Sequence, residues 1–208
     1  MNAIDYFESL DSCITDACAF LRIERRDFFA LARRWPHYVS QFKTFDKPED
    51  FYRAFQDDRG RSNVCANILD QLGRIDLASL LEQLPVSSET VGPLILADIG
   101  CGTTAQSFDM AQRFGAAYLV DLPNLAQEFV AWRCRHHALA HVHVGTMADI
   151  ATPVHVMLCI DVLEHIAQAS AFFLQMDRLL SRGGVLVLRV PWASMAPHPE
   201  HLPEAEAD

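Results

Sequence analysis

Leu94-Ile95-Leu96-Ala97-Asp98-Ile99-Gly100-Cys101-Gly102-Thr103-Thr104 is the stretch on which the fold turns. Gly92-Pro93 punctuates its start, Leu94 to Ala97 form an apolar run of strand length, and Asp98 and a Gly-x-Gly pair close it. The two glycines allow a tight turn whose backbone N–H groups come close to a ligand. Thr103 to Phe114 is helix-compatible, with Gly115 as its stop. Strand, glycine turn and helix make the first half of a βαβ unit, the context that a nucleotide-type cofactor site needs.

Downstream the same texture repeats. Apolar strand-like runs at Ala117–Asp121, Val142–Gly145, Val154–Ile160 and Val185–Val190 alternate with helix-like segments at Ala105–Phe114, Leu125–His137 and Ala167–Leu180. This alternation predicts an α/β fold with a doubly wound, mostly parallel sheet, in which ligands bind at the carboxyl ends of the strands.

Upstream, from Asn2 to about Leu84, the spacing is helical: Ile4, Phe7, Leu10, Ile14 and Cys18 share a face, Pro36 interrupts, and Asp46 or Pro48 starts a further segment. Ser62 is expected to cap a helix ended by Gly73, with Ile75, Leu77, Leu80, Leu81 and Leu84 continuing the apolar face. Twelve of the twenty aromatic residues fall between Tyr6 and Phe55. They read as the core of a helical subdomain, and Phe42, Phe45, Phe51, Tyr52 or Phe55 as walls of a pocket for an apolar substrate; both readings can hold together. The polar segment from Pro85 to Pro93 marks the boundary, giving a helical lid, substrate or dimerisation subdomain over 1–88, a cofactor-binding core over 89–195 and a flexible, acidic tail over 196–208.

Composition narrows the function. The 208 residues carry 27 acids against 17 bases, a net charge of −10, which disfavours nucleic acid as a partner. Asp5, Glu8 and Asp11 stand where a secretory leader would be basic, and no apolar run reaches membrane-spanning length, so a cytoplasmic protein without membrane contact is expected. The six cysteines contain no Cys-x-x-Cys pair, and His136-His137, His141, His143, His198 and His201 lack ligand partners at recognisable spacing, so no metal is expected.

Four acids and a histidine stand at strand ends. Asp121 lies 23 positions beyond Asp98, where a carboxylate can accept both hydroxyls of a ribose or simply cap the next helix. Asp149, in Thr146-Met147-Ala148-Asp149, can accept from an adenine amino group with Met147 against the ring, or remain solvated. His165, in Cys159-Ile160-Asp161-Val162-Leu163-Glu164-His165, can take a proton from a nucleophile, or be an ordinary exposed histidine; Glu164 faces the cofactor side or caps a helix. The glycine turn alone suits a dinucleotide too, but Asp98 would repel a pyrophosphate and attract the ammonium and sulfonium of S-adenosylmethionine.

In these motifs the segment from Leu94 to Val190 resembles a class I S-adenosylmethionine-dependent methyltransferase of the small-molecule type with an N-terminal helical lid. Asp98-Ile99-Gly100-Cys101-Gly102 resembles the family's first motif, Asp121 its ribose acid, Ala148-Asp149 its adenine-contacting pair, Asp161 to His165 its fourth-strand motif, and Leu179 to Gly184 the turn before its fifth strand. The resemblance implies a Rossmann-like fold, S-adenosylmethionine as cofactor, the methionine moiety over Gly100 and Gly102, Leu122 beside the ribose, and backbone from Cys159 and Ile160 near the cofactor. Thr104 and Arg182 depart from frequent family residues, and only 18 residues follow Val190, so the last strands of the usual seven-stranded sheet are expected to be missing. The fifth strand would then be an edge needing cover from the tail, a protein partner or a second copy in a homodimer.

Three functions remain open at this stage. The first is O- or N-methylation of a small molecule with His165 as base; no Asn-Pro-Pro-Tyr type motif points to adenine or glutamine. The second is a cofactor-fold subunit that binds a partner through its sheet edge, and the third an alkyl transfer that releases methylthioadenosine.

Overall fold

A computed structural model describes residues 3–45, 47–71, 93–105, 107–194 and 198–207. Five strands, β1 (Ile95–Ile99), β2 (Ala116–Val120), β3 (Val142–Gly145), β4 (Val154–Ile160) and β5 (Leu180–Arg189), form one parallel sheet in the order β3-β2-β1-β4-β5. The chain moves outward from β1 to one edge and then crosses to the other side, so the winding reverses between β1 and β4. That switch point opens a crevice at the carboxyl ends of these strands.

Both faces of the sheet are covered, which explains the continuous apolar runs of its strands. On one face Leu96, Leu119 and Leu158 meet Cys13 and Ile14 of α1 (Ala3–Leu21), Phe28 of α2 (Arg25–Ala32), Val64 and Ile68 of α5 (Asp58–Gln71) and Phe129 of a helix after β2. On the other, Ala97, Ile99, Met157 and Cys159 pack with Phe42, Phe51, Phe55, Met176 and Leu202. Between α2 and α5 lie two short helices, α3 (Trp35–Val39) and α4 (Pro48–Arg53), each with proline in its first turn, where a missing N–H costs nothing. The N-terminal helices therefore share their cores with the sheet. The expected boundary near residue 88, the stop at Gly73 and the apolar face from Ile75 to Leu84 lie outside the described residues.

Several local expectations are corrected. Ser62 sits inside α5, buried, and its hydroxyl donates to the Leu31 carbonyl at 2.7 Å; it ties two helices together where a cap was expected. The segment after the glycine turn is helical only over α6 (Phe108–Ala111). Asn124 caps α7 (Leu125–His136), accepting from Ala126 and Gln127 N–H at 2.9 and 3.1 Å, which leaves Asp121 for another role. After α8 (Ala169–Leu179), Ser181 to Gly184 do not form a separate turn. They lie within β5 as an irregularity, with Leu180 opposite Val154 and Val185 opposite Val156, and Gly183 takes φ +78°. The C-terminal segment, expected to be a flexible tail, packs back on the sheet: Leu202 is buried, its N–H donates to the Glu164 carbonyl at 2.8 Å, and α9 (Pro203–Ala207) buries Ala205. Its Pro and acid content concealed two apolar anchors.

Candidate cofactor site

The turn after β1 is held from both sides. Gly100 and Cys101 donate N–H to the Val120 carbonyl at 2.9 and 3.1 Å, stitching the turn to the end of β2. Gly100, Gly102 and Thr104 all take positive φ, +69°, +54° and +56°, and a Cβ on Gly100 would stand 2.4 Å from Val162 Cγ2. No side chain fits there, so the turn needs glycine on steric as well as conformational grounds. From α5, Asn67 Oδ1 accepts from the Thr103 N–H and hydroxyl at 3.0 and 2.8 Å.

Asp98 lies beneath the turn, 7% exposed, where it accepts a hydrogen bond from the Ser107 hydroxyl. Burial pushes its carboxyl up to about 7, against the opposing pull of Ser107. The simple picture of a fully ionised acid at neutral pH is thereby corrected: Asp98 is poised to ionise, and a cation arriving beside it would complete that ionisation. Asp121 ends β2 with Oδ2 accepting the Gly102 N–H and Oδ1 the Leu122 N–H, both at 2.7 Å. Burial raises its pKa while those two backbone donors lower it. Each oxygen retains a lone pair for a ribose hydroxyl. Gln127, which the sequence did not single out, donates to the Asp121 and Gly145 carbonyls at 3.0 and 2.7 Å and so clamps the ends of β2 and β3.

Gly100, Cys101, Gly102, Asp98 and Asp121 line a cleft of ≈ 1850 Å³ that also receives Leu122, Met147, Ala148, Ile160 and His165. A single small-molecule pocket occupies about 300–1,000 Å³, so the space admits a cofactor and a second ligand. Cys101 reaches the cleft through its position in the turn, while its thiol is buried in the core. Two expected residues do not line the cleft. Cys159 is fully buried in the opposite core, because it alternates with the cleft-facing Leu158 and Ile160. Asp149 is exposed, and its Oδ2 accepts from the Thr146 N–H and hydroxyl at 2.7 and 2.9 Å, closing a capping box over Met147–Asp149. The aromatic N-terminal residues divide in two: Phe42, Phe51 and Phe55 are core, whereas Trp35 and Tyr52 reach the cleft.

His165 sits in a 3₁₀ turn, Leu163–His165, just past β4. Its Nδ1 lies 2.9 Å from the Glu200 carbonyl, and its Nε2 lies 3.7 Å from Glu164 Oε1. Burial lowers its pKa to about 4, outweighing the carbonyl contact, so the ring is neutral at neutral pH. Glu200, buried beside it, is pushed up to about 7 by burial. Where no metal-ligating cluster was expected, the returning segment brings His201 to Glu164 and His165, their ligand atoms all within 4.8 Å of one another. A second group, Asp16 with His136 and His137, also forms across the fold. No sequence spacing reveals either cluster, since His201 and Asp16 arrive from distant segments. Among the described residues, no helix is long and apolar enough to cross a membrane.

Comparison with known proteins agrees with this geometry. Residues 97–188 match a family model described as a methyltransferase domain. No curated protein matches the chain. Similar solved structures include an S-adenosylmethionine-dependent methyltransferase from Thiobacillus denitrificans in complex with S-adenosyl-L-homocysteine, 20% identical over 58% of this chain and 52% of that one, TM-score 0.42. Another is an S-adenosylmethionine-dependent methyltransferase from Clostridium acetobutylicum, 19% identical over 58% and 54%, TM-score 0.46. A third is geranyl diphosphate C-methyltransferase from Streptomyces coelicolor A3(2), 21% identical over 63% and 48%, TM-score 0.46. The chain spans about half the length of these three structures. The parallel Rossmann-like sheet, the glycine turn and the acid ending β2 lie in the region of the chain that is similar to a methyltransferase domain.

Proposed function

We propose that this chain transfers the methyl group of S-adenosylmethionine to a small molecule, at an oxygen or a nitrogen. The carrying observation is that one cleft holds both the Gly100-Cys101-Gly102 turn with Asp121 and the aromatic side chains of Trp35 and Tyr52. The turn and Asp121 suit the cofactor; the aromatic group suits an apolar acceptor. The bound cofactor supplies an electrophilic methyl on a cationic sulfur. The protein aligns the acceptor lone pair with that methyl, excludes water and takes the acceptor's proton away, and His165 Nε2 offers a lone pair at the reacting end.

Calorimetry with S-adenosylmethionine, S-adenosylhomocysteine and NAD tests the cofactor: the first two are expected to bind, and binding of NAD alone overturns the proposal. Asp121→Asn replaces a charged acceptor by a neutral one and is expected to weaken cofactor binding by ~1.5–3 kcal/mol, or ~10- to 150-fold, with the fold intact by circular dichroism. Unchanged affinity removes the ribose assignment. In an acceptor screen, release of S-adenosylhomocysteine supports methyl transfer, whereas methylthioadenosine would mark alkyl transfer.

A partner-binding role has one observation in its favour: at the β5 side of the sheet Leu188, Phe173 and Leu174 are 43%, 39% and 56% exposed. Sedimentation at micromolar concentration separates the two readings, since a monomer that turns over an acceptor needs no partner on that edge.

A further inference from the structure

We propose that Glu164, His165 and His201 form a site for a divalent transition-metal ion at the reacting end of the cleft. Glu164 and His165 follow β4 in one 3₁₀ turn, and His201 is brought to them by the returning segment. Two backbone contacts set that register: the Leu202 N–H donates to the Glu164 carbonyl at 2.8 Å, and the Glu200 carbonyl meets His165 Nδ1 at 2.9 Å. His201 lies between these two contacts and is held on both flanks.

The tautomer of His165 points to a cation. A carbonyl oxygen only accepts, so Nδ1 carries the proton and donates it. Nε2 then presents a lone pair, 3.7 Å from Glu164 Oε1, an acceptor whose side chain is fully buried. An imidazole fixed by a donated Nδ1–H and presenting Nε2 beside a carboxylate is the arrangement found around bound metals. All three ligand atoms lie within 4.8 Å of one another. Ligand atoms on one tetrahedral ion, each bound at ~2.0–2.2 Å, stand ~3.3–3.6 Å apart, so the 3.7 Å pair is already near that spacing and His201 closes by at most about 1.5 Å.

The donor set selects the metal. Two imidazole nitrogens and one carboxylate oxygen suit Zn²⁺, Co²⁺ or Mn²⁺ better than Mg²⁺ or Ca²⁺, which prefer all-oxygen shells. Three protein ligands leave a coordination position open. Glu164, His165 and His201 line the same cleft as Gly100 and Asp121, so that position faces the acceptor. This deepens the methyltransferase reading by naming an acceptor class, a molecule with an ionisable hydroxyl. With the metal bound, His165 Nε2 is a ligand and no longer the base: the acceptor oxygen, bound to the metal, would lose its proton to water and form the new O–CH₃ bond as the S–CH₃ bond breaks.

The other cluster lacks these properties. Asp16 Oδ2 already meets Arg133 Nε at 2.8 Å and His137 Nε2 at 2.9 Å, and a guanidinium in place is a counter-ion that repels a metal.

Protein stripped with a chelator and dialysed is titrated with Co²⁺, followed by visible absorption, with Zn²⁺ as competitor. One equivalent of Co²⁺ is expected, displaced by Zn²⁺, with affinity reduced 10- to 100-fold or more in both His201→Ala and Glu164→Gln. The His201 variant leaves Glu164 and its burial in place, which keeps the test open if Glu164→Gln does not fold. His137→Ala is expected to bind as the wild type does. The proposal falls if neither ion binds up to millimolar concentration, if binding survives the loss of His201, or if it is lost in His137→Ala. Metal binding is read without S-adenosylmethionine, so its failure leaves the cofactor test standing, and the reverse.

Discussion

Gly100→Ala probes the turn on which the site depends. Its φ of +69° lies in the left-handed region, which costs a residue with a Cβ ~1–2 kcal/mol. The added Cβ would also stand 2.4 Å from Val162 Cγ2 and 3.2 Å from Cγ1, and overpacking of this kind costs ~1–3 kcal/mol. Together they amount to ~2–5 kcal/mol, against a typical domain stability of ~5–15 kcal/mol. The two parts separate in a double-mutant cycle, because Val162→Ala removes both clashing methyl carbons and leaves φ untouched. Urea unfolding of the four proteins, followed by tryptophan fluorescence and circular dichroism, is expected to give a favourable coupling of ~1–3 kcal/mol, with a residual penalty of ~1–2 kcal/mol for the backbone. If Gly100→Ala lies within ~0.5 kcal/mol of wild type, or the two substitutions add without coupling, the steric account of the turn is wrong.

Asp98 should make stability depend on pH. Its folded pKa of about 7 exceeds the ordinary 3.8 of an aspartate carboxyl, so the native state holds a proton that the unfolded chain releases. This contribution is complete below pH 3.8 and is lost as pH rises through about 7; a gap of ~3 units corresponds to ~4 kcal/mol. Asp98→Asn should flatten the decline in urea midpoint between about pH 4 and 7 relative to wild type, and an unchanged slope would show that Asp98 is not the group responsible. In the buried pair Arg133–Asp16, 2.8 Å apart with side chains 2% and 8% exposed, Asp16→Ala should cost ~3–5 kcal/mol by stranding a guanidinium. The double change Asp16→Leu with Arg133→Met should cost markedly less in the same unfolding assay; equal losses would contradict the stranded-charge account.

Much of the fold was legible because strand and helix periodicities are local. The apolar runs at Leu94, Ala117, Val142 and Val154 became β1 to β4 within a residue or two, since strands buried on both faces leave little choice of residue. Asp121 was legible from its spacing beyond the glycine turn, and the structure joins it to that turn through the Gly102 N–H. Ser62 and Gly183-Gly184 were misread because a serine or a glycine pair carries the same local signature in a cap, a tie between helices, a turn or a bulge, and only neighbours from other segments choose among them. For Cys159 only the backbone was expected near the cofactor; that its side chain faces the opposite core follows from strand alternation, which is invisible until the sheet has two defined faces.

By itself, the sequence determined the parallel sheet, the glycine turn and the acid at the end of β2, because each rests on contacts between residues close along the chain or on a strand-turn-helix unit of fixed spacing. Only the tertiary structure decided that Asp98 lies beneath the turn with a raised pKa, that Asn67 and Gln127 brace the cofactor side, and that the acidic terminal segment folds back to place His201 against Glu164 and His165. Burial, and the meeting of atoms carried by different elements, are properties of packing. Until the core closes, no local pattern in the chain encodes them.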